Sequence, residues 1–209
     1  MNRRAHWERI YATQPVERVG WYRPHLDTSL TWIQELNLPR RARILDVGGG
    51  ASTLVDDLLT LGFEDITVLD LSATALAHAR ARLGLRADQV TWMEADITEA
   101  ALPEATYDLW HDRAVFHFLT EPEDRARYLE RLRRALRPGG FLILATFSPE
   151  APPTCSGLPV VRYDLETLVR TVGPGFHLVH HGREHHVTPG GVAQPYLYTC
   201  FQRNEEEKP

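Results

Sequence analysis

From Ala42 onward the chain alternates short apolar runs with stretches whose apolar residues recur at helical spacing, the pattern of a parallel sheet covered on both faces. Ile44-Leu45-Asp46-Val47 reads as a first strand. It is followed by a helix capped at Ser52, carrying Leu54, Val55, Leu58, Leu59 and Leu61 on one side and closed by Gly62. Ile66 to Asp70 reads as a second strand, and Ser72 opens an alanine-rich helix with Leu76, Ala79 and Leu83 inward. Val90 to Met93 and Tyr107 to His111 supply a third and a fourth strand. Thr120, Pro122 and Glu123 then read as a capping box ahead of a long helix. That helix turns Tyr128, Leu129, Leu132, Ala135 and Leu136 to the core and its arginines to solvent, and Pro138-Gly139-Gly140 stops it. Phe141 to Phe147 is apolar throughout, as a central strand covered on both faces should be.

The last third changes character. Asp164 caps a helix with Leu165, Leu168, Val169 and Val172 inward, and Phe176–His180 and Gln194–Phe201 read as two strands that pair antiparallel. Residues 1–39 hold Trp7, Tyr11, Trp21, Tyr22 and Trp32 among polar positions and predict a helical cover over the sheet's ligand-binding edge. The whole reads as one domain of 1–209: the cover to residue 39, a sheet core over 40–147, a loop, helix and strands over 148–203, and a frayed polar tail over 204–209.

Composition narrows the function. The net charge of -5, from 23 Lys and Arg against 28 Asp and Glu, argues against a nucleic-acid partner, which needs clustered cations. Cys155 and Cys200 form no CxxC pair, so neither a zinc ribbon nor a disulfide framework is expected. No apolar stretch approaches the roughly 18 residues needed to span a bilayer, and the charged start has no apolar run behind it. The expectation is a cytoplasmic protein without a membrane partner.

In an open parallel sheet the ligand lies beyond the carboxyl ends of the strands, where strand order reverses. The first such end reads Asp46-Val47-Gly48-Gly49-Gly50-Ala51-Ser52, a turn that lets a ligand approach the backbone. Asp70 follows Gly50 by 20 residues, the spacing of an acid that hydrogen-bonds the ribose hydroxyls of an adenine nucleoside. Glu94-Ala95-Asp96-Ile97 places an acid where it meets the adenine edge. A dinucleotide oxidoreductase wants a third glycine where this chain has Thr53, and Asp46 would repel a pyrophosphate. The same carboxylate suits a cationic amino group.

The motifs Ile44-Leu45-Asp46-Val47-Gly48-Gly49-Gly50, Leu69-Asp70-Leu71-Ser72, Glu94-Ala95-Asp96-Ile97, Tyr107-Asp108-Leu109 and Leu136-Arg137-Pro138-Gly139-Gly140 occur in the order found in class I S-adenosylmethionine-dependent methyltransferases. Over roughly residues 40–147 the chain resembles that superfamily. The resemblance implies a Rossmann-like, doubly wound, mostly parallel seven-stranded α/β sheet with an antiparallel C-terminal strand. It implies S-adenosylmethionine as cofactor and S-adenosylhomocysteine as product. It further implies that Asp46, Gly48 and Gly50 hold the methionine part, Asp70 the ribose, Leu71 and Ile97 the adenine faces and Asp96 the adenine amino group, with Trp21, Gly49 and Ser72 completing the set. His111 and Arg113 would lie by the sulfonium and amino-acid moiety. The opening His6-Trp7-Glu8-Arg9-Ile10-Tyr11 with Gly20-Trp21-Tyr22 also resembles a branch that includes eukaryotic protein-lysine methyltransferases, whereas His111-Asp112-Arg113-Ala114-Val115-Phe116-His117-Phe118 departs from it.

Methyl transfer is an in-line displacement at a carbon activated by the sulfonium, so the protein aligns the reactants and excludes water without a metal. Where the acceptor must lose a proton, a histidine suits the task. His111, His117 and His186 are the catalytic candidates, with Asp112 placed to orient either of the first two. His180-His181-Gly182-Arg183-Glu184-His185-His186 reads as a solvated polar turn rather than a metal site, because Gly182 weakens the helix that would align His181 with His185. Ser148 to Pro159 reads as an acceptor loop, with Cys155 a packed thiol rather than a nucleophile. The expected function is methylation of a small-molecule N, O or S nucleophile. Protein-lysine methylation and a non-catalytic cofactor-binding module are the alternatives.

Overall fold

The computed structural model describes residues 2–205. Residues 206–209 of the polar tail lie outside the described residues, while the tail's first residue, Asn204, is docked: its N–H and Nδ2 donate to the carbonyls of Gly175 and Pro174.

Among the described residues, seven strands form one sheet in the order β3-β2-β1-β4-β5-β9-β8, where β1 is Arg43–Val47, β2 Asp65–Asp70, β3 Val90–Glu94, β4 Tyr107–Arg113, β5 Leu136–Phe147, β8 Phe176–Val187 and β9 Ala193–Arg203. The first five are parallel, and β9 runs antiparallel to both its neighbours. The chain lays down β1, β2 and β3 outward in one direction, then returns to place β4 on the other side of β1. The reversal therefore falls between β1 and β4, where an open α/β sheet offers its crevice. The two residues of β6, Thr154–Cys155, pair with β7, Leu158–Pro159, in a separate small hairpin.

Alternation along the strands divides the core. Ile44, Val68, Leu109 and Ile143 face Leu26, Ile33, Leu54, Leu58 and Leu76 of α2 (Asp27–Glu35), α3 (Leu54–Thr60), α4 (Ala73–Leu83) and their flanks. Leu45, Val47, Trp110, Leu142 and Leu144 face Tyr128, Leu129, Leu132 and Leu168 of α5 (Pro122–Ala135) and α6 (Leu165–Val172). Apolar burial on both sides is why the strand sequences read as continuous apolar runs. α1 (Arg3–Thr13) and α2 supply the expected helical cover.

Local signals hold at two caps: Ser72 Oγ accepts from the Ala75 N–H and Asp164 Oδ1 from the Thr167 N–H. Four expectations need correction. α5 starts after Glu121 with Pro122 at its first position and has no side-chain cap. The carbonyls of Leu119 and Thr120 are held instead by the Arg125 guanidinium at 2.6 and 2.7 Å. α3 is capped at Thr53, with Ser52 Oγ accepting from the Leu54 N–H at 3.2 Å. Pro138-Gly139-Gly140 is not a stop after a helix but lies inside β5, which begins at Leu136 directly after α5. Finally, the histidine-rich segment is not a turn: it is the second half of β8. An edge strand with one face open tolerates polar residues, and Glu184 and His186 alternate inward while His181, Arg183 and His185 face out.

Candidate active site

The turn after β1 is built by what its glycines lack. Gly48 has φ +67°, and a methyl there would stand 2.0 Å from Val115 Cγ2. A methyl on Gly49 would stand 2.4 Å from Asp46 Oδ2 and 2.8 Å from Val68, and one on Gly50 2.6 Å from Asp70 Oδ2. The backbone thus passes against two carboxylates. A Gly49→Ala variant is expected to lose about 1 to 3 kcal/mol of stability through overpacking. Gly175→Ala, where nothing lies within 4 Å, should not. Denaturant melts of the two variants check this.

Asp70 closes β2. Its Oδ1 accepts from the Ser72 N–H at 2.8 Å, and burial pushes its carboxyl up to about 7 against the opposing pull of that bond. Asp46 is equally buried. Its Oδ1 meets His111 Nδ1 at 2.7 Å, while Oδ2 has no partner. His111 Nε2 lies 2.9 Å from Ser29 Oγ, which lies 3.3 Å from the Tyr198 hydroxyl. That hydroxyl accepts from Arg113 Nε at 3.0 Å, and Arg113 Nη2 donates to Glu184 Oε1 at 2.8 Å. With Arg113 able only to donate and a neutral His111 giving its Nδ1–H to Asp46, the row runs from Arg113 to Tyr198, Tyr198 to Ser29 and Ser29 to His111 Nε2. The row crosses the sheet from β1 to β8 beneath α2.

Two adjoining hollows lie along this rim. The larger spans about 790 Å³ and opens to solvent. Its lining follows sheet order, from Asp96 and Ile97 after β3, through Asp70 and Leu71 after β2, to Arg113, Val115 and Phe118 at and beyond the end of β4, with Trp7, Trp21 and Cys155. The smaller, about 500 Å³, is bounded by Asp46, Gly48, Gly49, His111 and Arg113 under Tyr22 and Arg23. Trp7 meets Trp21 at 5.4 Å and Phe118 at 5.1 Å between ring centroids, both edge to face.

The structure therefore gathers Trp21, Asp46, Gly48, Gly49, Asp70, Leu71, Asp96, Ile97, His111 and Arg113 along one rim, with Gly50 backing Asp70. Ser72 stands apart as the cap of α4. Asp96 Oδ1 is occupied by Thr98 N–H and Oγ1, and Oδ2 pairs with Arg3 at 3.4 Å. His186 lies outside both linings, its Nε2 donating to the Gly20 carbonyl at 2.6 Å. His117 is the plainest departure from its sequence reading as a base. Its Nδ1 accepts from the Phe147 N–H at 3.2 Å, so the proton sits on Nε2, which has no partner. Burial and then Arg113 push its imidazole down to about 3. It is a buried donor. Among the described residues no group of three His, Cys, Asp or Glu is placed to hold a metal. No helix among them is long and apolar enough to cross a membrane.

Sequence reading missed Ser29 and Tyr198. Ser29 carries no signal within its helix. Tyr198 was legible only as strand; its pairing opposite Ala145, two positions beyond His111's partner Ile143, is what brings its hydroxyl to the row.

A seven-stranded sheet with one reversed strand, a glycine turn at its reversal and buried carboxylates ending β1 and β2 define the class I nucleoside-binding methyltransferase fold. Residues 44–140 match the family model described as a methyltransferase domain. Over that stretch, just under half of its length, the chain is similar to this methyltransferase family. A curated relative, the eEF1A lysine and N-terminal methyltransferase of Danio rerio, is 25% identical over 148 residues, 69% of this chain and 21% of that protein. The chain thus spans about a fifth of the length of that relative. A solved structure from work on converting a disulfide bond into a thioacetal group during echinomycin biosynthesis aligns with TM-score 0.74 at 19% identity, over 97% of this chain and 92% of that one. The 1,6-didemethyltoxoflavin-N1-methyltransferase of Burkholderia thailandensis, with its substrate and S-adenosylhomocysteine bound, aligns with TM-score 0.67 at 22% identity, over 86% and 78%. These likenesses show the fold.

The cofactor of this class is S-adenosylmethionine, and the site's chemistry fits it. An unpartnered, buried carboxylate oxygen on Asp46 suits an ammonium, and Gly48 and Gly49 line the hollow beside it.

Proposed function

We propose that the chain transfers the methyl group of S-adenosylmethionine to a nucleophile on a small apolar molecule. The observation that carries this reading is the acceptor end of the larger hollow. It is walled by Trp7, Trp21, Val115, Phe118, Leu119 and Cys155, and none of the described residues lining that end is acidic. A lysine side chain arriving as an ammonium would find no carboxylate to receive it there, since Glu184 behind Arg113 is already paired.

In this reading Asp46 Oδ2 holds the cofactor's amino group and Asp70 its ribose hydroxyls. Leu71 and Ile97 flank the adenine, and Asp96 Oδ2, bonded only to Arg3, keeps a lone pair for the adenine amino group. The bound sulfonium supplies the electrophilic methyl. His111 serves as a fixed spacer: Nδ1–H is given to Asp46 and Nε2 receives Ser29, so it sets the carboxylate's direction and leaves no nitrogen for the acceptor. Trp7 and Trp21 keep water from the reacting atoms. Burial pushes the Cys155 thiol up to about 11, and Arg113 stays charged, so neither takes a proton near neutrality. Thiols and weakly basic amines, which need no strong base, are the favoured acceptors.

Isotope-labelled S-adenosylmethionine with a panel of thiols, amines and phenols is expected to label a small molecule. Labelled protein bands from a lysate, with no small molecule labelled, would transfer the reading to protein lysine. Failure of the chain to bind S-adenosylhomocysteine in calorimetry would end it.

A further inference from the structure

Beneath the acceptor end lies a second layer of polar groups that the proposed transfer does not use. Tyr196, from β9, is fully buried, and its hydroxyl has no hydrogen-bond partner. The Arg113 guanidinium sits over its ring at 4.4 Å. His117 is also fully buried, with its ring stacked 6.4 Å from that of Tyr196 and its Nε2–H unpartnered. Both rings pack on Phe147, at 4.6 and 5.0 Å.

Two unpartnered donors in one apolar shell cost about 1 to 3 kcal/mol each if nothing receives them. Both groups offer a proton: His117 because its other nitrogen is taken by the Phe147 N–H, Tyr196 because burial keeps its phenol protonated. With Arg113 above them, the surroundings favour an atom rich in electrons. The nearby carboxylate, Glu184, is held by Arg113 at 2.8 Å.

Cys155 lines the hollow and lies close enough to Tyr196 to act on its phenol. It rides on the β6–β7 hairpin, which pairs Thr154 with Pro159 and Cys155 with Leu158 and is continued by the Val160 N–H to the Pro153 carbonyl and the Val161 N–H to the His117 carbonyl. The hairpin turns through Ser156 and Gly157, at φ +52° and +77°. A ladder so short opens at little cost.

We propose that the Tyr196 hydroxyl and His117 Nε2–H form an acceptor-recognition subsite that receives a carbonyl or carboxylate oxygen carried on the ring of an aromatic methyl acceptor, reached when Cys155 shifts with its hairpin. The inference rests on the methyl-transfer reading, and it adds the functional group the substrate must bear. Trp7, Trp21 and Phe118 receive the ring, and the two donors receive the oxygen.

The test uses the full chain saturated with S-adenosylhomocysteine, whose own titration is run first and reads the cofactor assignment alone; no binding there overturns both readings. Benzamide and benzene are then titrated as probes of equal ring size. Benzamide is expected to bind the wild type about tenfold more tightly than benzene, the worth of one net hydrogen bond. In Tyr196→Phe, which removes only the hydroxyl, the two probes should come within about threefold of each other, with S-adenosylhomocysteine affinity unchanged and the melting temperature no lower than the wild type's. A crystal structure of the wild-type benzamide complex should place the carbonyl oxygen within hydrogen-bond distance of both donors. Equal binding of the probes by the wild type, an undiminished ratio in Tyr196→Phe, or a water still seated on the two donors in the probe complex would each overturn the subsite.

Discussion

S-adenosylhomocysteine affinity is expected to rise with pH by up to about tenfold per unit from pH 5 to pH 7, then to level off. The cause is Asp70. Burial holds its carboxyl up to about 7 in the free protein, so below that pH it carries a proton. Two ribose hydroxyls donate best to the ionised form, so binding must expel the proton, and the penalty grows by about 1.4 kcal/mol for each unit of acidity. The sign follows: affinity is weakest in acid and complete above the free-state value. Calorimetry in buffers of different ionisation enthalpy reads the released proton directly. Asp70→Asn should abolish the slope. Asp70→Ala should in addition weaken binding about 100-fold at pH 8, since two charge-assisted hydrogen bonds, together worth about 3 kcal/mol, are lost. A flat profile in the wild type would refute Asp70 as the ribose acid.

The largest stability effect is expected at Asp112, which sits beside His111 but on the opposite face of β4. Its Oδ1 accepts from the Val115 N–H at 2.9 Å. Its Oδ2 accepts from the Phe116 N–H at 3.2 Å and the Tyr128 hydroxyl at 2.6 Å. That hydroxyl in turn accepts from Trp110 Nε1 at 2.8 Å. All of these side chains are buried. Asp112→Ala strips three donors of their acceptor in a dry core and should cost about 3 to 5 kcal/mol, a large share of the roughly 5 to 15 of a domain. The pH dependence distinguishes this from simple loss of packing. Burial, opposed by the bonds from Tyr128, Val115 and Phe116, pushes the Asp112 carboxyl up to about 6. A folded-state value above the unfolded one means the native protein holds the proton longer. The contribution of Asp112 to stability is therefore full below about pH 4 and falls as pH rises to about 6. Denaturant melts of wild type and Asp112→Asn across that window should show the slope reduced in the variant. Equal slopes would mean that the carboxyl takes up its proton at the same pH in the folded and unfolded chain.

What was legible in the sequence follows from what burial does to pattern. Strands covered on both faces read as apolar runs, and a ligand approaching a backbone demands glycine. The segment from Ile44 to Phe147 consequently announced its order and its rim. The far edge did not. β8 has one open face, so the residues from His180 to His186 carry no apolar period, and their inward members, Glu184 and His186, are polar because Arg113 and the Gly20 carbonyl are their partners. His117 read as a base for lack of any sign that the Phe147 N–H would occupy its free nitrogen. Ser29 was invisible for a related reason: its role comes from a contact 82 residues away, with His111.

The row of hydrogen bonds from Asp46 to Glu184 draws on β1, β4, β8, β9 and a helix of the cover. Its timing follows from its composition. As the chain is made, the glycine turn and both cofactor carboxylates are complete long before Tyr198 is added. The Ser29 hydroxyl that bonds His111 has both of its side-chain partners only once β9 lies between β5 and β8. The row beside Asp46 is thus completed by β9, and a chain from which that strand is removed keeps the recognisable motifs without it.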